Sequence, residues 1–454
     1  MSKTIAAICT SLKASAIGII RISGDDAINV AKCVFRPVDK TKRIENMKGY
    51  TAAYGHVFDD DGEFDDGVLT VFLAPHSYTG ENTVELSLHG GETVLRRALR
   101  AIIKNGAEQA GGGEFTKRAL LNGKMSLTQA EAVMDIISAE NNDALNCAVN
   151  IKNGAVYKKI NELCERLSYL DASAVQFIDF PEEGEQEYDY SVLTDGLNGV
   201  KTELCRLIDD FDTGKRIRHG IDCSIVGRPN VGKSTLMNLL TKTDRSIVTS
   251  IAGTTRDIVE ETVDLDGLTL HLSDTAGIHQ SDDEVESIGI DKARNRINSS
   301  QLILAVFSAD TALSVDDFDI LDSIKSKPHI IIMNKTDIGK DGILPILQKY
   351  GKVVPISAKE HIGIDELKKA IVEIVGKCKI DGDSIYLANE RQLNMAIKAK
   401  EALDDALYAL NGGLTIDAVT VSIDSAIDAL LRLSGKRVSD TVIAQVFENF
   451  CVGK

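Results

Sequence analysis

The sequence predicts a multidomain protein that combines an α+β domain, an α/β domain and a helical domain within 454 residues. Three observations predict this: the chain is about three times as long as an average domain, short β-type runs fill its first part, and the apolar period changes twice further along. Hydrophobic residues at 43% and charged residues at 26% are typical of a globular chain and exclude a disordered one.

The α+β domain is predicted over residues 1–118. Apolar runs at 17–22, 69–73 and 84–88 have the length and the residue types of strands, and turn residues separate them. Three consecutive glycines at 111–113 are expected to form a hinge or a turn after these strands.

The helical domain is predicted in two pieces, over residues 119–216 and 381–454. In the first piece, Ser126 and Gln129 have the spacing of a capping box, and apolar residues then recur at helical intervals until Gly214, which we expect to end a helix. Stripes of leucine and isoleucine in the second piece have the same spacing.

Residues 217–380, between the two helical pieces, alternate apolar strands with helical segments. The runs 302–307 and 330–333 are apolar throughout, as expected for strands of a parallel sheet that helices cover on both faces. We therefore expect an α/β domain inserted into the helical domain, because insertion is tolerated where chain ends lie close together at a surface.

The 51 basic and 68 acidic residues give a net charge of −17, which excludes a globally basic nucleic-acid coat. RNA contacts would then depend on local basic patches, for which residues 215–218 and 432–437 are the candidates. No apolar run approaches the roughly 18 residues of a membrane helix, and no convincing signal peptide is present, so we expect a cytoplasmic protein without a membrane partner. None of the eight cysteines forms a CxxC pair, so no zinc knuckle is expected.

Residues 227–234 read Gly-Arg-Pro-Asn-Val-Gly-Lys-Ser and lie between a strand-like run at 221–226 and a helical run at 236–240. This is the setting of a phosphate-binding loop, in which backbone N–H groups and the positive end of a helix hold the phosphates. Lys233 would contact the β- and γ-phosphates, and the Ser234 hydroxyl would ligate magnesium. Taken alone, the pattern could also be a glycine-rich turn.

Three companion motifs follow in the order and at the spacings of a GTP-binding domain, and they remove that alternative. Asp274 can hold magnesium through water, and the N–H of Gly277 can reach the γ-phosphate. The carboxylate of Asp337 can accept two hydrogen bonds from guanine that adenine does not offer. The GTP-binding residues that these motifs predict are Val231, Gly232, Lys233, Ser234, Thr235, Asp274, Thr275, Ala276, Gly277, Asn334, Lys335, Asp337, Ser357, Ala358 and Lys359.

Ile278 occupies the position at which Ras-like proteins carry a water-orienting glutamine. Its side chain can neither donate nor accept a hydrogen bond, so another group must position the water and neutralise charge in the transition state. The nearby polar candidates are His279, Gln280, Asp282, Asp283, Glu284 and Glu286.

Further segments are more specific than the GTP-binding motifs. They are Ser77–Glu81 (Ser-Tyr-Thr-Gly-Glu), His89–Gly91, Leu121–Lys124, Ile178–Pro181, Ile251–Asp257, Asp283–Gly289 and Phe450–Lys454 (Phe-Cys-Val-Gly-Lys). With them, the sequence resembles the MnmE family of tRNA-modification GTPases, also called TrmE, over nearly the whole chain, whereas the GTPase motifs alone would also fit Era or EngA relatives. The resemblance implies an N-terminal folate-binding and dimerisation domain, a discontinuous helical domain and an inserted Ras-like P-loop GTPase domain.

The resemblance also implies roles for residues of the GTPase domain. A potassium ion is seated by Asn230 and Thr254 and by the carbonyls of Thr249 and Ile251, in the place of an arginine finger. Thr255 joins Ser234 on magnesium, and Glu286 is the catalytic glutamate. The segment that adds these GTP contacts comprises Thr249, Ser250, Ile251, Ala252, Gly253, Thr254 and Thr255.

In the N-terminal domain, the resemblance implies that 5-formyl- or 5,10-methylene-tetrahydrofolate binds as a one-carbon donor at Arg21, Glu85, Lys124 and Lys454. Cations suit the glutamate tail of a folate, and a carboxylate such as Glu85 suits the paired N–H groups of a pterin. Cys451 matches a cysteine that the family needs for the modification chemistry.

Two segments depart from the family pattern. Residues 11–16 replace a glycine-rich stretch, and residues 112–115 replace an Arg-Pro-Gly-Glu-Phe segment. We expect either change to alter folate affinity or domain docking without affecting the GTPase.

The resemblance implies a homodimer, an FAD-dependent partner of the MnmG (GidA) family, and a tRNA whose wobble uridine receives a carboxymethylaminomethyl or aminomethyl group. One alternative is an Era-like GTPase switch in ribosome assembly, which would need an RNA-binding appendage such as a KH-type GXXG loop. The other is a folate-dependent methyl or formyl transferase that GTP merely regulates.

Overall fold

A computed structural model describes residues 3–13, 15–179, 190–243, 260–265, 268–274, 300–339, 341–376, 385–448 and 450–454. The chain divides into two compact units. The first unit comprises Met1–Met134, Ile151–Leu204 and Glu390–Lys454, and the second comprises Asp135–Asn150 and Cys205–Asn389. The mixture of an α+β part, a helical part and an α/β part confirms the predicted fold class, whereas the domain boundaries at 118, 216 and 380 stay predictions.

The first unit contains a seven-stranded, mainly antiparallel sheet in the order β3-β4-β5-β6-β2-β1-β7. Its strands are β1 (Ile5–Ile8), β2 (Ile17–Ser23), β3 (Phe35–Pro37), β4 (Thr51–Asp59), β5 (Gly62–Phe72), β6 (Thr83–His89) and β7 (Glu108–Gln109). Two helices, α1 (Ala27–Val34) and α2 (Glu92–Lys104), pack against the strands. Alternate residues such as Ile20, Ile22 and Leu86 are fully buried against these helices. The three strands predicted from apolar runs are confirmed.

The remaining helices of the chain before the second sheet, and after it, complete the first unit. They are α3 (Glu114–Leu121), most of α4 (Leu127–Ser138), α6 (Ala155–Asp179) and most of α7 (Tyr190–Asp209), followed much later by α13 (Glu390–Asn411), α14 (Ile416–Ser434) and α15 (Asp440–Phe447). Helix α5 (Asn142–Lys152) belongs to the second unit except for its last two residues. Helix α14 packs against both α13 and α6. The predicted capping box is confirmed, since the Gln129 N–H donates to the Ser126 hydroxyl and the Ser126 N–H donates to the Gln129 side chain.

A buried ion pair joins helices from the two sequence-distant pieces of the helical part. Within the first unit, the Arg391 guanidinium donates to both oxygens of Glu131, each at 2.9 Å. Gln392 donates to the same carboxylate at 2.7 Å. Glu131 is 8% exposed, so this bidentate pairing satisfies a charge that would otherwise be costly to bury.

The second unit contains a six-stranded sheet in the order β13-β12-β11-β8-β10-β9, parallel except for β9. Its strands are β8 (Ile221–Val226), β9 (Glu260–Leu265), β10 (Leu268–Asp274), β11 (Leu302–Ser308), β12 (His329–Asn334) and β13 (Val353–Pro355), and its helices are α8 (Phe211–His219), α9 (Lys233–Thr243), α10 (Val315–Ile324), α11 (Leu344–Leu347) and α12 (Ile364–Val375). The predicted α/β alternation is confirmed. Loops at the carboxyl ends of β8, β12 and β13 therefore open at one edge of the sheet.

The expectation that Gly214 ends a helix is wrong. Gly214 lies inside α8, which runs from Phe211 to His219. A Cβ atom at this position would lie 2.6 Å from the Cβ of Tyr386. The glycine is therefore explained by close packing against a segment distant in sequence, which helical periodicity does not reveal.

In the part of the chain that the structure describes, no helix has both the length and the apolar character needed to cross a membrane.

Candidate functional site

The loop between β8 and α9 has the conformation that the phosphate-binding motif predicts. The backbone of Gly227 has φ 152° and that of Gly232 has φ 99°. A Cβ at Gly227 would lie 2.3 Å from the Val306 carbonyl oxygen, and one at Gly232 would lie 2.2 Å from Nδ2 of Asn334. Both glycines are therefore required by the close approach of neighbouring strands as well as by backbone conformation.

Lys233 is the first residue of α9, and its ammonium group turns back over the loop. Its Nζ donates to the carbonyl oxygens of Gly227 and Arg228, each at 2.8 Å, and the residue is only 6% exposed. A fixed cation thus lies beside the N-terminus of a helix, which is the arrangement that attracts phosphate groups. The neighbouring Ser234 and Thr235 are exposed, as residues that contact a ligand or its magnesium must be.

Asn230 lies at the outer part of the same loop and is exposed. Its φ of 64° is in the left-handed region, which asparagine tolerates better than most residues. The next residue, Val231, is buried and its carbonyl faces the base-binding motif described below.

Arg228 attaches the phosphate-binding loop to α10, a contact that sequence reasoning missed. Its Nε lies 2.9 Å from both carboxylate oxygens of Asp317, a residue that is 1% exposed. Oδ2 of Asp317 also accepts from the N–H and the hydroxyl of Ser314, which caps α10. The spacing of Ser314 and Asp317 is a sequence signal for the cap, but nothing local indicates Arg228 as its partner.

Asn334 joins the phosphate-binding loop to the base-binding loop. It ends β12 and is 2% exposed. Its Nδ2 donates to the Val231 carbonyl at 2.8 Å, and its Oδ1 accepts from the Ala358 N–H at 3.0 Å. The asparagine therefore fixes two segments that would hold opposite ends of a nucleotide.

Asp337 is held in a defined orientation by Ser357, whose hydroxyl donates to Oδ1 at 2.6 Å. Ser357 is fully buried and also accepts from the Glu360 N–H, so the serine is itself fixed. Asp337 is exposed, which leaves the carboxylate accessible to the paired N–H groups of guanine. Lys359 is exposed at the rim of this pocket.

Lys335 has φ 63°, and its Nζ lies 3.1 Å from Oδ2 of Asp310. The pKa of Asp310 is lowered first by a hydrogen bond from Ser308 and then by Lys335. The ionised carboxylate of Asp310 is therefore paired with the ammonium group of Lys335.

Several predicted ligands lie outside the described residues. They are Thr249, Ser250, Ile251, Ala252, Gly253, Thr254, Thr255, Thr275, Ala276, Gly277 and Glu286, together with Ile278 and the polar candidates that follow it. Asp274 is the last residue of β10. The structure thus brings together the loop from Asn230 to Thr235, Asn334 to Asp337, and Ser357 to Lys359 at one sheet edge, and the remaining contacts stay predictions.

A second candidate site lies on the outer face of the sheet in the first unit. Arg21 and Glu85 face each other in register on β2 and β6, with Nη2 of Arg21 2.8 Å from Oε1 of Glu85. The guanidinium also lies 5.4 Å from the ring centroids of Tyr78 and Phe115. This pair is mostly buried, with side chains 16% and 23% exposed, so its charge interaction is little screened.

Residues 450–454, which we call the closing segment, dock beside this pair. The Gly113 N–H donates to the carbonyl of Cys451 and the Phe115 N–H donates to that of Lys454, both at 3.1 Å. Val452 forms an antiparallel bridge with Gly112. A Cβ at Gly453, whose φ is 99°, would lie 2.6 Å from the Ile8 carbonyl oxygen. The turn predicted for the glycines at 111–113 is found at Gly113, directly before α3, whereas Gly112 pairs with the closing segment.

Cys9 lies among the charged groups of this second site, and sequence reasoning did not single it out. Burial raises the pKa of its thiol, and the charges of Arg21 and Lys454 act in the opposite direction. Cys451 is exposed. The Cys9 thiol is therefore within electrostatic range of Arg21, Glu85 and Lys454, and the Cys9 backbone lies against Gly453 of the closing segment.

Lys124 is held on the loop that follows α3. Its Nζ donates to the Pro75 carbonyl at 3.0 Å, and the side chain is exposed. The loop is fixed by Asn122, whose Nδ2 donates to the Thr79 carbonyl at 2.8 Å. Its predicted role in folate binding stays a prediction.

Comparison with known proteins identifies two family matches. Residues 4–124 match the family described as the GTP-binding protein TrmE N-terminus, and residues 127–451 match the family described as the MnmE helical domain. The chain is 38% identical to the tRNA modification GTPase MnmE of Thermoanaerobacter pseudethanolicus over 99% of both chains. It is 39% identical to the protein of that name from Caldicellulosiruptor saccharolyticus, again over 99% of both.

Among solved structures, Aquifex aeolicus Era bound to GDP.AlF4- is 31% identical, and the match covers 40% of this chain and 66% of that chain with a TM-score of 0.29. The G domain of the T. maritima FeoB iron transporter is 28% identical over 35% of this chain and all of that chain, with a TM-score of 0.28.

Proposed function

The chain belongs to the MnmE family of tRNA modification GTPases, and on that premise we propose that this GTP hydrolase modifies the wobble uridine of certain tRNAs at C5. The observation that carries the proposal is the formed nucleotide cradle of the second unit. Lys233 is fixed for phosphate, Asp337 is fixed for guanine, and Asn334 connects the two.

Guanine selectivity follows from the pairing of Asp337 with Ser357. The serine hydroxyl orients the carboxylate, so that a base with two adjacent donors can satisfy it. A base without those donors leaves a charged acceptor desolvated and unpaired, which disfavours binding strongly.

For hydrolysis, we propose that Asn230, Thr249, Ile251 and Thr254 hold a potassium ion, which would supply fixed positive charge where Ile278 offers none. The exposed side chain of Asn230, on a loop rigidly held at both glycines, supports this role. Ser234 and Thr255 would hold magnesium, and Glu286 would orient the attacking water indirectly. GTP turnover should be faster in potassium than in sodium, and equal rates in the two ions would contradict the role of Asn230.

We propose that the second site binds the reduced folate that donates one carbon. Its chemistry fits: Glu85 can accept from a pterin, while Arg21, Lys124 and Lys454 supply cations for the glutamate tail. Since Arg21 already pairs with Glu85, the folate would share that carboxylate with the guanidinium. Cys451 takes part in the modification chemistry from the closing segment.

The partners that we propose are a second copy of this chain and an FAD-binding protein of the MnmG (GidA) family, with tRNA as the substrate, all in the cytoplasm. The outer face of the first sheet supports the homodimer, because Tyr54 and Val68 pair in register there and remain 54% and 38% exposed. The FAD would belong to the partner.

Nucleoside analysis of tRNA tests this function. A strain that lacks the gene should lose the modified uridine, and wild-type complementation should restore it, whereas Glu286→Ala and Cys451→Ser should not. Cys33→Ser is the matched control, because Cys33 is an exposed cysteine away from the closing segment. Unchanged tRNA nucleosides in the deletion strain would contradict the proposal.

Ribosomal subunit profiles of the same strains and a one-carbon transfer assay separate the two alternatives. Altered ribosomal subunits with normal tRNA nucleosides would favour the Era-like switch. Transfer of a one-carbon unit in the absence of the FAD-dependent partner would favour the GTP-regulated transferase. Residues 385–448 form α13, α14 and α15 without a strand, so this described part offers no KH-type appendage for the first alternative.

A further inference from the structure

A cavity of about 420 Å³ opens among α13, α14 and α15 of the first unit. We call it the arginine cavity, because Arg391, Arg432 and Arg437 form its walls, with Asp428 between two of them and Met395 and Val438 contributing an apolar surface. Its volume is within the range of pockets that hold a small ligand or one nucleotide.

Arg391 forms a rigid wall of the cavity. Its charge is neutralised by the buried carboxylate of Glu131, and it also donates to the carbonyls of Arg432 at 2.9 Å and Leu433 at 3.2 Å. These bonds fix the C-terminal turn of α14, which carries Arg432, while Arg437 follows shortly after the helix ends at Ser434. The cavity is thus built by the fold and is not a chance arrangement of surface side chains.

Arg432 and Arg437 share a single acid. Nε of Arg432 lies 2.7 Å from Oδ2 of Asp428, and Nη1 of Arg437 lies 3.2 Å from Oδ1. Two guanidinium groups against one carboxylate leave a net positive charge, and each guanidinium has five N–H donors of which Asp428 engages few. The side chains are 59% and 66% exposed, so their donors are accessible to an anion.

Lys436 adds a further cation at the same edge. Its Nζ bonds to Oδ1 of Asn161 and lies 5.4 Å from the ring centroid of Tyr157 on α6. This contact holds the chain between α14 and α15 in place. The exposed positive charge therefore extends beyond the cavity mouth, along the line of residues 432–437.

We propose that the arginine cavity binds the phosphodiester backbone of the RNA substrate, with Arg432 and Arg437 on adjacent phosphates and a nucleotide face against Met395 and Val438. This inference rests on the proposed function, which makes tRNA the substrate. Guanidinium groups pair with carboxylates as well as with phosphates, so the choice rests on spacing. RNA is favoured over an acidic protein segment because the regularly spaced phosphates of one strand can contact Arg432, Lys436 and Arg437 together. On a chain of net charge −17, such a local patch is needed for a polyanion to bind at all.

The test measures binding of fluorescently labelled, unmodified tRNA to the full-length protein by fluorescence anisotropy. The salt concentration is raised from about 50 to about 200 mM in roughly twofold steps. We expect the double variant Arg432→Ala/Arg437→Ala to bind about tenfold more weakly and to lower the slope of log K against log salt by about 2. The matched control is Arg96→Ala/Arg100→Ala, which removes two exposed arginines from α2.

The Asp428→Asn variant should change tRNA affinity in the opposite direction, which a loss of folding could not cause. Removing the acid that competes with phosphate should strengthen tRNA binding several-fold, while GTP turnover without RNA stays at the wild-type rate. AMP is the probe for a mononucleotide ligand, and we expect it not to displace tRNA at concentrations that saturate ordinary small-molecule sites.

Three results would overturn the inference. They are unchanged tRNA affinity and salt slope in the Arg432→Ala/Arg437→Ala variant, an equal loss in the α2 control, and displacement of tRNA by micromolar AMP. If the double variant binds the FAD-dependent partner more weakly but binds tRNA as well as the wild type does, the cavity is a protein-binding site instead. Because the nucleoside analysis does not depend on these residues, failure here would leave the proposed function standing.

Discussion

The two candidate sites are built in opposite ways. The nucleotide site of the second unit is assembled from loops at the carboxyl ends of parallel strands, and each loop carries its functional residues within a short motif. The second site, in the first unit, unites Arg21 and Glu85 from neighbouring strands with a closing segment from the far end of the sequence. A motif on a strand end can therefore be located without knowing the fold, whereas a site shared by distant segments requires the fold first.

Gly232→Ala should produce the largest effect and would test whether the nucleotide site is as rigidly built as the comparison requires. The new Cβ would overlap Nδ2 of Asn334 in a backbone conformation that alanine disfavours. We expect GTP affinity to fall at least about 100-fold, since strain of this kind costs a few kcal/mol. Titration with a fluorescent GTP analogue measures it.

Gly342→Ala is the control for that substitution, because a Cβ there meets no atom within 4 Å. If both variants bind GTP with near-wild-type affinity, the phosphate-binding loop adjusts easily. The nucleotide site would then be no more rigid than the second site, and the comparison would fail.

Asp317→Asn should have the next largest effect, because it removes the charge that binds Arg228 to α10. We expect the second unit to lose about 2 kcal/mol in free energy of unfolding, since a buried ionic contact is broken while Arg228 keeps partial access to water. Nucleotide affinity should fall about tenfold, because the arginine holds the first turn of the phosphate-binding loop. Urea unfolding and nucleotide titration are the measurements.

A double-mutant cycle with Arg228→Met makes the prediction sharper. If the two residues act as one unit, the double variant should lose less than the sum of the single losses. Additive losses would show that Arg228 does not position the loop through Asp317.

Gly453→Ala should weaken ligand binding at the second site and leave binding at the nucleotide site unchanged. Its Cβ would overlap the Ile8 carbonyl, so the closing segment should dock less well, and we expect 5-formyl-tetrahydrofolate affinity to fall about tenfold. GTP affinity should stay within the error of the wild-type value. Calorimetric titration of each ligand measures the two effects in one preparation.

Gly413→Ala is the matched control, since Gly413 shares a positive φ but has open space around it. If folate affinity falls by a similar factor in this variant, the cause is general destabilisation, and the closing segment would not be part of the folate site.

The smallest effect should be seen in the reactivity of Cys9. Burial raises the pKa of its thiol, so the reactive thiolate is scarcer at pH 8 than for an ordinary cysteine. We expect iodoacetamide to label Cys9 several-fold more slowly than the exposed Cys33, and Lys454→Met to slow it further by removing a charge that lowers that pKa. Peptide mass spectrometry of timed samples measures both rates, and equal labelling of Cys9 and Cys33 would contradict this account.

Much of the nucleotide site could be predicted from sequence because its geometry is local. A strand, a glycine-containing loop and a helix start occur in order around Lys233, and the later motifs each follow an apolar strand. The bond between Arg228 and Asp317 could not be predicted, because it joins residues on different elements and neither belongs to a motif that requires the other.

The wrong prediction for Gly214 and the failure to single out Cys9 have the same origin, because both depend on contacts between segments distant in sequence. Gly214 has the residue type of a helix end, and only the packing of Tyr386 against it explains a glycine within α8. Cys9 resembles an ordinary core residue in sequence, and its charged neighbours arise from the pairing of β1 with β2 and from the docking of residues 450–454. The resemblance to the family indicated Arg21, Glu85 and Lys454 without explaining why they should meet.

Docking of the closing segment has a consequence for biosynthesis. During translation, every described residue of the nucleotide site has been added once the ribosome passes Lys359, whereas the second site must await Lys454. A nonsense codon shortly before position 450 would thus yield a polypeptide that retains every described residue of the nucleotide site yet lacks Cys451 and Lys454. On the roles proposed for these two residues, such a product would bind nucleotide without supporting the proposed chemistry on tRNA.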